Sequence, residues 1–218
     1  MATYEYLTDG AEIYANSFRI IREEAGLDRL PNDLSQVAAR MVHACAQTDL
    51  VDDIAYSPGV VTAARQALLA GAPVLCDSTM VATGIIRSRL PRSNDVVCLL
   101  QDPRTVALAA QKQITKTMAA VELWLPRLEG AIVAFGNAPT ALFRLLELVR
   151  DTGVKPAAVI GIPVGFVGAA ESKQALVDND LGLEYLTVRG RRGGSAMAVA
   201  ALNAIASTAE TSNTAQLD

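Results

Sequence analysis

Two hydrophobic patterns alternate along most of the chain. Short, wholly apolar runs such as Val96–Leu100 and Ala131–Phe135 are typical of strands that are buried on both faces of a sheet. Between these runs lie amphipathic stretches, whose apolar residues recur three and four positions apart and predict helices. The alternation predicts a parallel sheet with helices packed on both of its faces.

From residue 54 onward the pattern divides into six strands and six helices. We predict the strands at Ile54–Ser57, Pro73–Asp77, Val96–Leu100, Ala131–Phe135, Ala157–Ile162 and Tyr185–Val188. We predict the helices at Pro58–Ala70, Ser78–Ser88, Pro103 to about Trp124, Pro139–Arg150, Ala169–Val177 and Ser195–Ile205. The fold class is therefore α/β, with a doubly wound, mainly parallel sheet of five or six strands.

Two further helices precede this unit and are expected to pack outside it. The first is predicted over Gly10–Ala25, and the second runs from a cap at Asn32 or Asp33 to about Ala46. The apolar face of the first is expected to consist of Ile13, Ser17, Ile20 and Ile21. Residues 1–206 are interpreted as one domain, and residues 207–218 as a polar tail.

The composition narrows the class of protein. Hydrophobic residues make up 51% of the 218 residues and aromatic residues only 5%, which favours closely packed helices and excludes the disordered class. The net charge is −4, whereas an indiscriminate nucleic-acid binder would normally be basic. We expect no nucleic-acid partner, although local clusters of Arg and Lys still permit a small anionic ligand.

The cysteine and histidine content argues against a metal centre. The three cysteines, Cys45, Cys76 and Cys98, have no C-x-x-C spacing, and the chain has one histidine. No apolar stretch approaches the ~20 residues of a membrane span, and the acidic N-terminus does not resemble a signal peptide. We therefore expect a cytoplasmic protein with no membrane partner.

Glycine-rich segments follow the last two parallel strands, at Gly161–Gly168 and Arg189–Ser195. In such folds ligands bind at the carboxyl ends of the strands, and a helix N-terminus there can bind a carboxylate or phosphate. Arg189, Arg191, Arg192 and Lys173 lie near these turns and strengthen the expectation of an anionic ligand. Tight turns alone would also require glycine, so both interpretations stay open.

His43 and Asp77 are the individual residues that the pattern singles out. His43 lies on the polar edge of the second helix, and histidine is the natural proton donor at neutral pH. Asp77 follows a strand directly, and could either cap the next helix or contact a ligand. A histidine on a helix edge is also compatible with no catalytic role.

Several segments together resemble the precorrin-8X methylmutase family. Arg40–Cys45 is similar to the histidine motif of that family, and the run Pro163–Lys173 is a second, highly specific match. The resemblance spans roughly residues 4–206 in order, and the other segments that carry it are Cys76–Asp77, Met80–Val81, Asp102–Thr105, Gly136–Leu142, Arg189–Gly190 and Gly193–Ser195.

The resemblance implies an isomerase of cobalamin biosynthesis that needs no cofactor or metal. Members of this family convert precorrin-8X, a metal-free tetrapyrrole with many carboxylate arms, to hydrogenobyrinic acid. They do so by a 1,5-sigmatropic shift of the methyl group from C-11 to C-12. The resemblance also implies a homodimer with its site near the subunit interface, and possible transfer of the product to the next enzyme of the pathway.

His43 is then the acid, and the residues around the macrocycle follow from the same resemblance. The substrate-binding residues are expected to be Tyr14, Ser17, Arg40, Asp77, Lys116, Thr117, Asn137, Lys173, Arg189, Gly194 and Ser195. The chain departs from the family pattern at Lys116, where an arginine is expected, and at Ile86, where a threonine is expected. Lysine keeps the charge but loses the bidentate geometry.

Three alternatives differ in their chemistry. A cobalt-precorrin-8 methylmutase would share the fold and the histidine. A corrinoid carrier would need no acid at position 43. An α/β hydrolase or nucleotide enzyme would need a nucleophile elbow or a phosphate loop, and neither motif is present in the sequence.

Overall fold

The computed structural model describes residues 4–207, in which ten α-helices and three short 3-10 helices surround one sheet. The strands are β1 (Ile54–Tyr56), β2 (Val74–Cys76), β3 (Val96–Val97), β4 (Ile132–Phe135), β5 (Ala158–Gly161) and β6 (Tyr185–Val188). The helices are α1 (Gly10–Glu24), α2 (Asn32–Cys45), α3 (Val60–Leu69), α4 (Thr79–Gly84), α5 (Pro103–Lys112), α6 (Lys116–Leu123), α7 (Leu125–Leu128), α8 (Pro139–Thr152), α9 (Ala169–Val177) and α10 (Ser195–Ala206). The predicted tail lies outside the described residues from position 208 onward.

The six strands form a mainly parallel sheet in the order β1-β6-β5-β4-β2-β3, which confirms the predicted fold class. Only β1 is antiparallel, and it pairs with β6 at the edge of the sheet. From β2 the chain moves outward to β3, and it then returns past β2 to place β4, β5 and β6 on the other side. The topological switch point therefore lies between the carboxyl ends of β2 and β4.

Alternate residues of the central strands contribute to two separate hydrophobic layers. Ile132 and Ala134 of β4 belong to the layer that includes α2, α3 and α10, whereas Val133 and Phe135 belong to the layer with α6, α8 and α9. All four are 0% exposed. Burial on both faces explains why these strands are wholly apolar in the sequence.

The first two helices lie outside the repeating unit, as predicted. Helix α2 packs along α10, and α1 packs on α2. The predicted apolar face of α1 is wrong in part, because Ile13 and Ile20 are each 42% exposed while Phe18 and Ile21 are the buried residues. The cap of α2 is also different, since Pro31 precedes its first turn and no side chain caps it.

Two helices are shorter than the pattern predicted. The expected helix from Pro103 to Trp124 is interrupted at Gln113, whose left-handed φ of 55° ends α5, and Thr115 then caps α6 by accepting a bond from the Met118 N–H at 3.2 Å. The helix predicted to reach Ser88 stops at Gly84. There the amide of Asn203 donates to the Gly84 carbonyl and accepts from the Ile86 N–H.

The short helix α7 and the three 3-10 helices, Leu27–Arg29, Thr48–Asp53 and Arg87–Arg89, were not predicted, and the other differences concern the ends of elements. The structure begins α3 at Val60, two residues after the proline that was expected to start it, and it limits β3 to Val96–Val97. Among residues 4–207, no helix is long and apolar enough to span a membrane. The same residues contain no group of three or more His, Cys, Asp or Glu side chains arranged to hold a metal ion.

Candidate active site

His43 lies near the C-terminal end of α2, where two aromatic residues of α1 surround one side of its ring. The imidazole is exposed and stacks on Phe18, with 4.9 Å between ring centroids and 26° between ring planes. Tyr14 lies 6.1 Å from the imidazole. The two helices thus hold the histidine against an aromatic surface while leaving it accessible from solvent.

Arg40 and Ser17 complete this cluster. The guanidinium of Arg40 lies 4.5 Å from the ring centre of Phe18 and 5.0 Å from that of Tyr14, in the geometry of a cation–π contact. Ser17 is half-buried on α1 and donates its hydroxyl proton to the Ile13 carbonyl at 2.8 Å, so its remaining capacity is as an acceptor. Four of the predicted site residues, Tyr14, Ser17, Arg40 and His43, therefore lie on two packed helices.

Asp77 occupies the switch point of the sheet. Its carboxylate accepts hydrogen bonds from the backbone N–H groups of Gly136, Asn137 and Ala138 at 3.1, 2.8 and 2.8 Å. Only 1% of Asp77 is exposed; burial raises the pKa of its carboxyl, although the three N–H groups act in the opposite direction. Asp77 therefore lies beneath the turn, and Asn137 is the exposed member of this group.

The turns after β4, β5 and β6 pack directly against one another. A Cβ atom on Gly193 would lie 2.4 Å from the Pro163 carbonyl oxygen, and one on Gly136 would lie 2.6 Å from the Ser195 Cα. Both approaches are shorter than any side chain allows, so glycine is required at each position. The Gly194 N–H also donates to the Ile162 carbonyl at 2.9 Å, which fixes the start of α10 above β5.

The starts of α9 and α10 both have the features of an anion-binding site. No side chain caps either helix, because Gly168 and Gly194 occupy the two capping positions. Uncapped N–H groups and the helix dipole attract a carboxylate. Ser195, the first residue of α10, is 8% exposed, and its hydroxyl lies 3.5 Å from that of Ser78.

Lys116 and Thr117 form the start of α6 and adjoin the turn that carries Asn137. The Thr117 hydroxyl lies 3.0 Å from that of Thr115 and 3.4 Å from that of Thr140 in the first turn of α8. Lys116 is exposed. The break between α5 and α6 is therefore what brings these two residues to the edge of the sheet where the strands end.

Lys173 is buried rather than exposed at the site. It is 0% exposed on α9, and its ammonium donates a hydrogen bond to the Arg192 carbonyl beneath the turn that precedes α10. Burial lowers the pKa of Lys173 to about 8, although the charge of Asp53 acts in the opposite direction. A direct contact between Lys173 and a ligand would require this turn to move.

The arginines around the turn differ in what they contact. Arg192 forms ion pairs with Asp49 at 2.5 Å and Asp53 at 3.7 Å, and Arg191 lies over the ring of Phe166 at 5.5 Å. Arg189 is exposed at the end of β6. The net positive charge that this edge offers to a ligand therefore comes from Arg189 and Arg191 more than from Arg192.

Three residues that contact the candidate site were not predicted as site residues: Phe18 stacks on His43, Thr140 lies beside Thr117, and Phe166 lies under Arg191. Phe18 lies four residues after Tyr14, and aromatic residues at this spacing share a helix face, so the signal was present in the sequence. Phe166 is 84% exposed in the turn after β5, next to Val167 at 89%. Nothing in the sequence distinguishes these two exposed residues from buried ones.

Comparisons with known proteins agree on one family. Residues 12–208 match the family model described as precorrin-8X methylmutase. The chain is 55% identical to a precorrin-8X methylmutase of Sinorhizobium, covering 94% of this chain and 98% of that protein. It is 52% identical to a precorrin-8X methylmutase of Pseudomonas aeruginosa, with 94% and 99% covered.

A more distant relative and a solved structure also match over most of the chain. A cobalt-precorrin-8 methylmutase of Leptospira interrogans is 34% identical, with 90% of this chain and 92% of that protein covered. The crystal structure of a precorrin-8X methyl mutase from Thermus thermophilus superposes with a TM-score of 0.82 at 40% identity, covering 90% of this chain and 95% of that one.

Proposed function

Because the chain belongs to the precorrin-8X methylmutase family and is an isomerase of cobalamin biosynthesis, we propose that it converts precorrin-8X to hydrogenobyrinic acid with His43 as the acid. The observation that carries this proposal is the exposed imidazole of His43 stacked on Phe18. A histidine held in this way can transfer a proton to a flat ligand that binds over it.

The reaction itself requires little from the protein besides position and a proton. In a 1,5-sigmatropic shift the bond between the methyl group and C-11 breaks as the bond to C-12 forms, so no protein nucleophile takes part. A proton from His43 makes the π-system of the ring electron-poor, which lowers the barrier to migration, and the proton returns to the imidazole when the product forms. Holding the macrocycle in a reactive shape contributes the rest.

The carboxylate arms of the substrate are proposed to bind along the edge where the strands end. Arg189, Lys116 and the uncapped start of α10 at Gly194 and Ser195 supply positive charge and N–H donors. Thr117 and Asn137 supply neutral polar groups. The aromatic surface of Tyr14 and Phe18, with Arg40 beside it, is proposed to contact the ring itself.

Asp77 and Lys173 are proposed to support this surface from below. Both are buried, and each is hydrogen-bonded to the backbone of a turn that carries ligand-facing residues. The metal-free substrate is favoured over the cobalt-containing one because identity to the two precorrin-8X methylmutases is 52–55%, against 34% for the cobalt-precorrin-8 methylmutase of Leptospira.

Assembly and location are part of the same proposal. We propose a homodimer with the site near its interface, since Ile13 and Ile20 present exposed apolar side chains on α1, the helix that also carries Tyr14 and Ser17, and Tyr6 is exposed just before it. A cytoplasmic location fits the three unpaired cysteines, which are usual in a reducing compartment. Transfer of the product to the next enzyme would be detected as slow release of hydrogenobyrinic acid.

The substrate assignment is tested by supplying the purified protein with precorrin-8X and with cobalt-precorrin-8 in parallel. The absorption change that accompanies ring conversion measures turnover of each. We expect conversion of the metal-free substrate to be faster. Faster conversion of the cobalt-containing substrate would assign the chain to the anaerobic route, and binding of either without conversion would favour a carrier.

A further inference from the structure

Arg192 links two parts of the site that are far apart in the sequence. It belongs to the turn between β6 and α10, and its guanidinium contacts Asp49 at 2.5 Å and Asp53 at 3.7 Å. Both aspartates lie in the 3-10 segment Thr48–Asp53, which begins three residues after the end of α2. The ion pair therefore connects the turn ahead of α10 to the segment that follows the helix carrying His43.

We propose that Arg192 is a positioning residue, whose ion pair with Asp49 holds the Thr48–Asp53 segment, and with it the C-terminal end of α2 that carries His43, against the anchored turn ahead of α10. The proposal rests on the function assigned above, in which the start of α10 binds the substrate and His43 protonates it. It differs from the simple interpretation of Arg192 as one more cation that binds a carboxylate arm.

Contacts other than the ion pair with Asp49 hold the backbone of Arg192 in place. Its carbonyl accepts a hydrogen bond from the buried ammonium of Lys173, and the neighbouring Gly193 fits tightly against the Pro163 carbonyl. The Gly194 N–H is bonded to the Ile162 carbonyl. Because the turn is anchored to α9 and to the segment after β5, the Arg192 side chain projects from a defined position.

The charge of Arg192 is already matched within the protein. Its hydrogen bond holds the pKa of the Asp49 carboxyl below the ordinary value. The Nη1 atom of Arg192 is shielded from solvent and has no hydrogen-bond partner among residues 4–207, since Asp53 is too distant to accept one. A shielded donor without an acceptor reduces the stability that the ion pair contributes.

Loss of this ion pair should affect the chemical step more than binding. A displacement on the order of 1 Å between an acid and its substrate can lower a rate by about a hundredfold. The groups that contact the carboxylate arms would remain on their own elements. We therefore expect kcat to fall while KM for precorrin-8X changes little.

The test compares Arg192→Met, Asp49→Asn and the double variant with the parent protein. The control is Asp52→Asn, which removes the exposed Arg29–Asp52 ion pair from the same 3-10 segment. We expect each single variant to lower kcat about tenfold or more and to keep KM within about threefold, whereas Asp52→Asn matches the parent. The double variant should be no slower than the slower single variant.

Two results of the single variants would overturn the proposal. One is a kcat for Arg192→Met and Asp49→Asn equal to that of Asp52→Asn, and the other is a raised KM at unchanged kcat, which would make Arg192 a ligand for a carboxylate arm. Additive losses in the double variant would also contradict it. Should Arg192→Met fail to fold, Asp49→Asn carries the test because it preserves the size of the side chain. An active His43→Ala variant would refute the role of His43 as the proton donor but would leave the effect of Arg192 and Asp49 on kcat to be measured separately. The two failures are therefore distinguishable.

Discussion

Asp77 places a carboxylate in the interior at the switch point of the sheet. Its oxygens accept hydrogen bonds from three backbone N–H groups in the turn after β4. Without Asp77 these N–H groups would have no partner among the residues that the structure describes. The sequence located this residue at the end of β2 but left open whether it caps a helix or contacts a ligand. Its actual partners are about sixty positions later in the chain, and no local pattern predicts such a contact.

We predict that Asp77→Ala lowers the free energy of unfolding by about 3 kcal/mol or more, because several buried N–H groups lose their acceptor. The control is Asp9→Ala, which removes an exposed N-cap from α1 and should cost about 1 kcal/mol. Denaturant unfolding of both variants measures the difference. An equal loss of unfolding free energy in Asp77→Ala and Asp9→Ala would show that water replaces the Asp77 carboxylate as acceptor.

Lys173 should make the stability of the protein depend on pH in the alkaline range. Burial lowers its pKa to about 8 in the folded state, while the unfolded chain keeps the ordinary value of 10.5. The unfolded state therefore binds more protons between these values, and the contribution of Lys173 to stability rises as pH increases from about 8 to about 10.5.

Lys173→Met removes this titration while keeping an apolar side chain of similar length. We expect the parent protein to gain stability relative to this variant between pH 7.5 and pH 10, as measured by urea unfolding at both values. If the two proteins differ in unfolding free energy by the same amount at pH 7.5 and at pH 10, the Lys173 ammonium keeps its ordinary pKa in the folded state. Burial of Lys173 could not be predicted from the sequence, since lysine is rarely buried in proteins.

At the scale of elements, the apolar periodicity predicted every strand and the order of helices and strands. The boundaries were wrong where a polar residue, not periodicity, ends a helix. The separation of α5 from α6 depends on Gln113 in a left-handed conformation and on the capping hydroxyl of Thr115. Both residue types also occur inside helices, so the pattern favoured one continuous helix.

Thr115→Ala distinguishes a break between α5 and α6 from one continuous helix by whether it lowers or raises the free energy of unfolding. Loss of a capping hydroxyl should lower the free energy of unfolding by about 1 kcal/mol. In one continuous helix the same substitution would raise stability by about half a kcal/mol, because alanine is the better helix former. Thermal unfolding of the variant measures the sign, and a stabilised variant would contradict the break between α5 and α6.

At the scale of the whole molecule, the proposed site combines surfaces from segments that are far apart in the sequence. Tyr14, Arg40 and His43 come from the two outer helices, whereas Asn137 and Gly194 come from turns at the ends of strands and Ser195 begins α10. The family resemblance named these residues, and the parallel sheet explains why the turns meet. The pairing of Arg192 with Asp49, 143 positions apart, follows from the antiparallel pairing of β1 with β6, which places the segment before β1 beside the turn after β6.

Substitution of His43 tests the central claim most directly. Purified His43→Ala and His43→Gln are mixed with precorrin-8X, and ring absorption is followed both for binding and for conversion to hydrogenobyrinic acid. We predict that both variants bind the substrate with nearly the affinity of the parent protein and convert it far more slowly, because neither side chain can supply a proton. Conversion by His43→Ala at the rate of the parent protein would contradict the account.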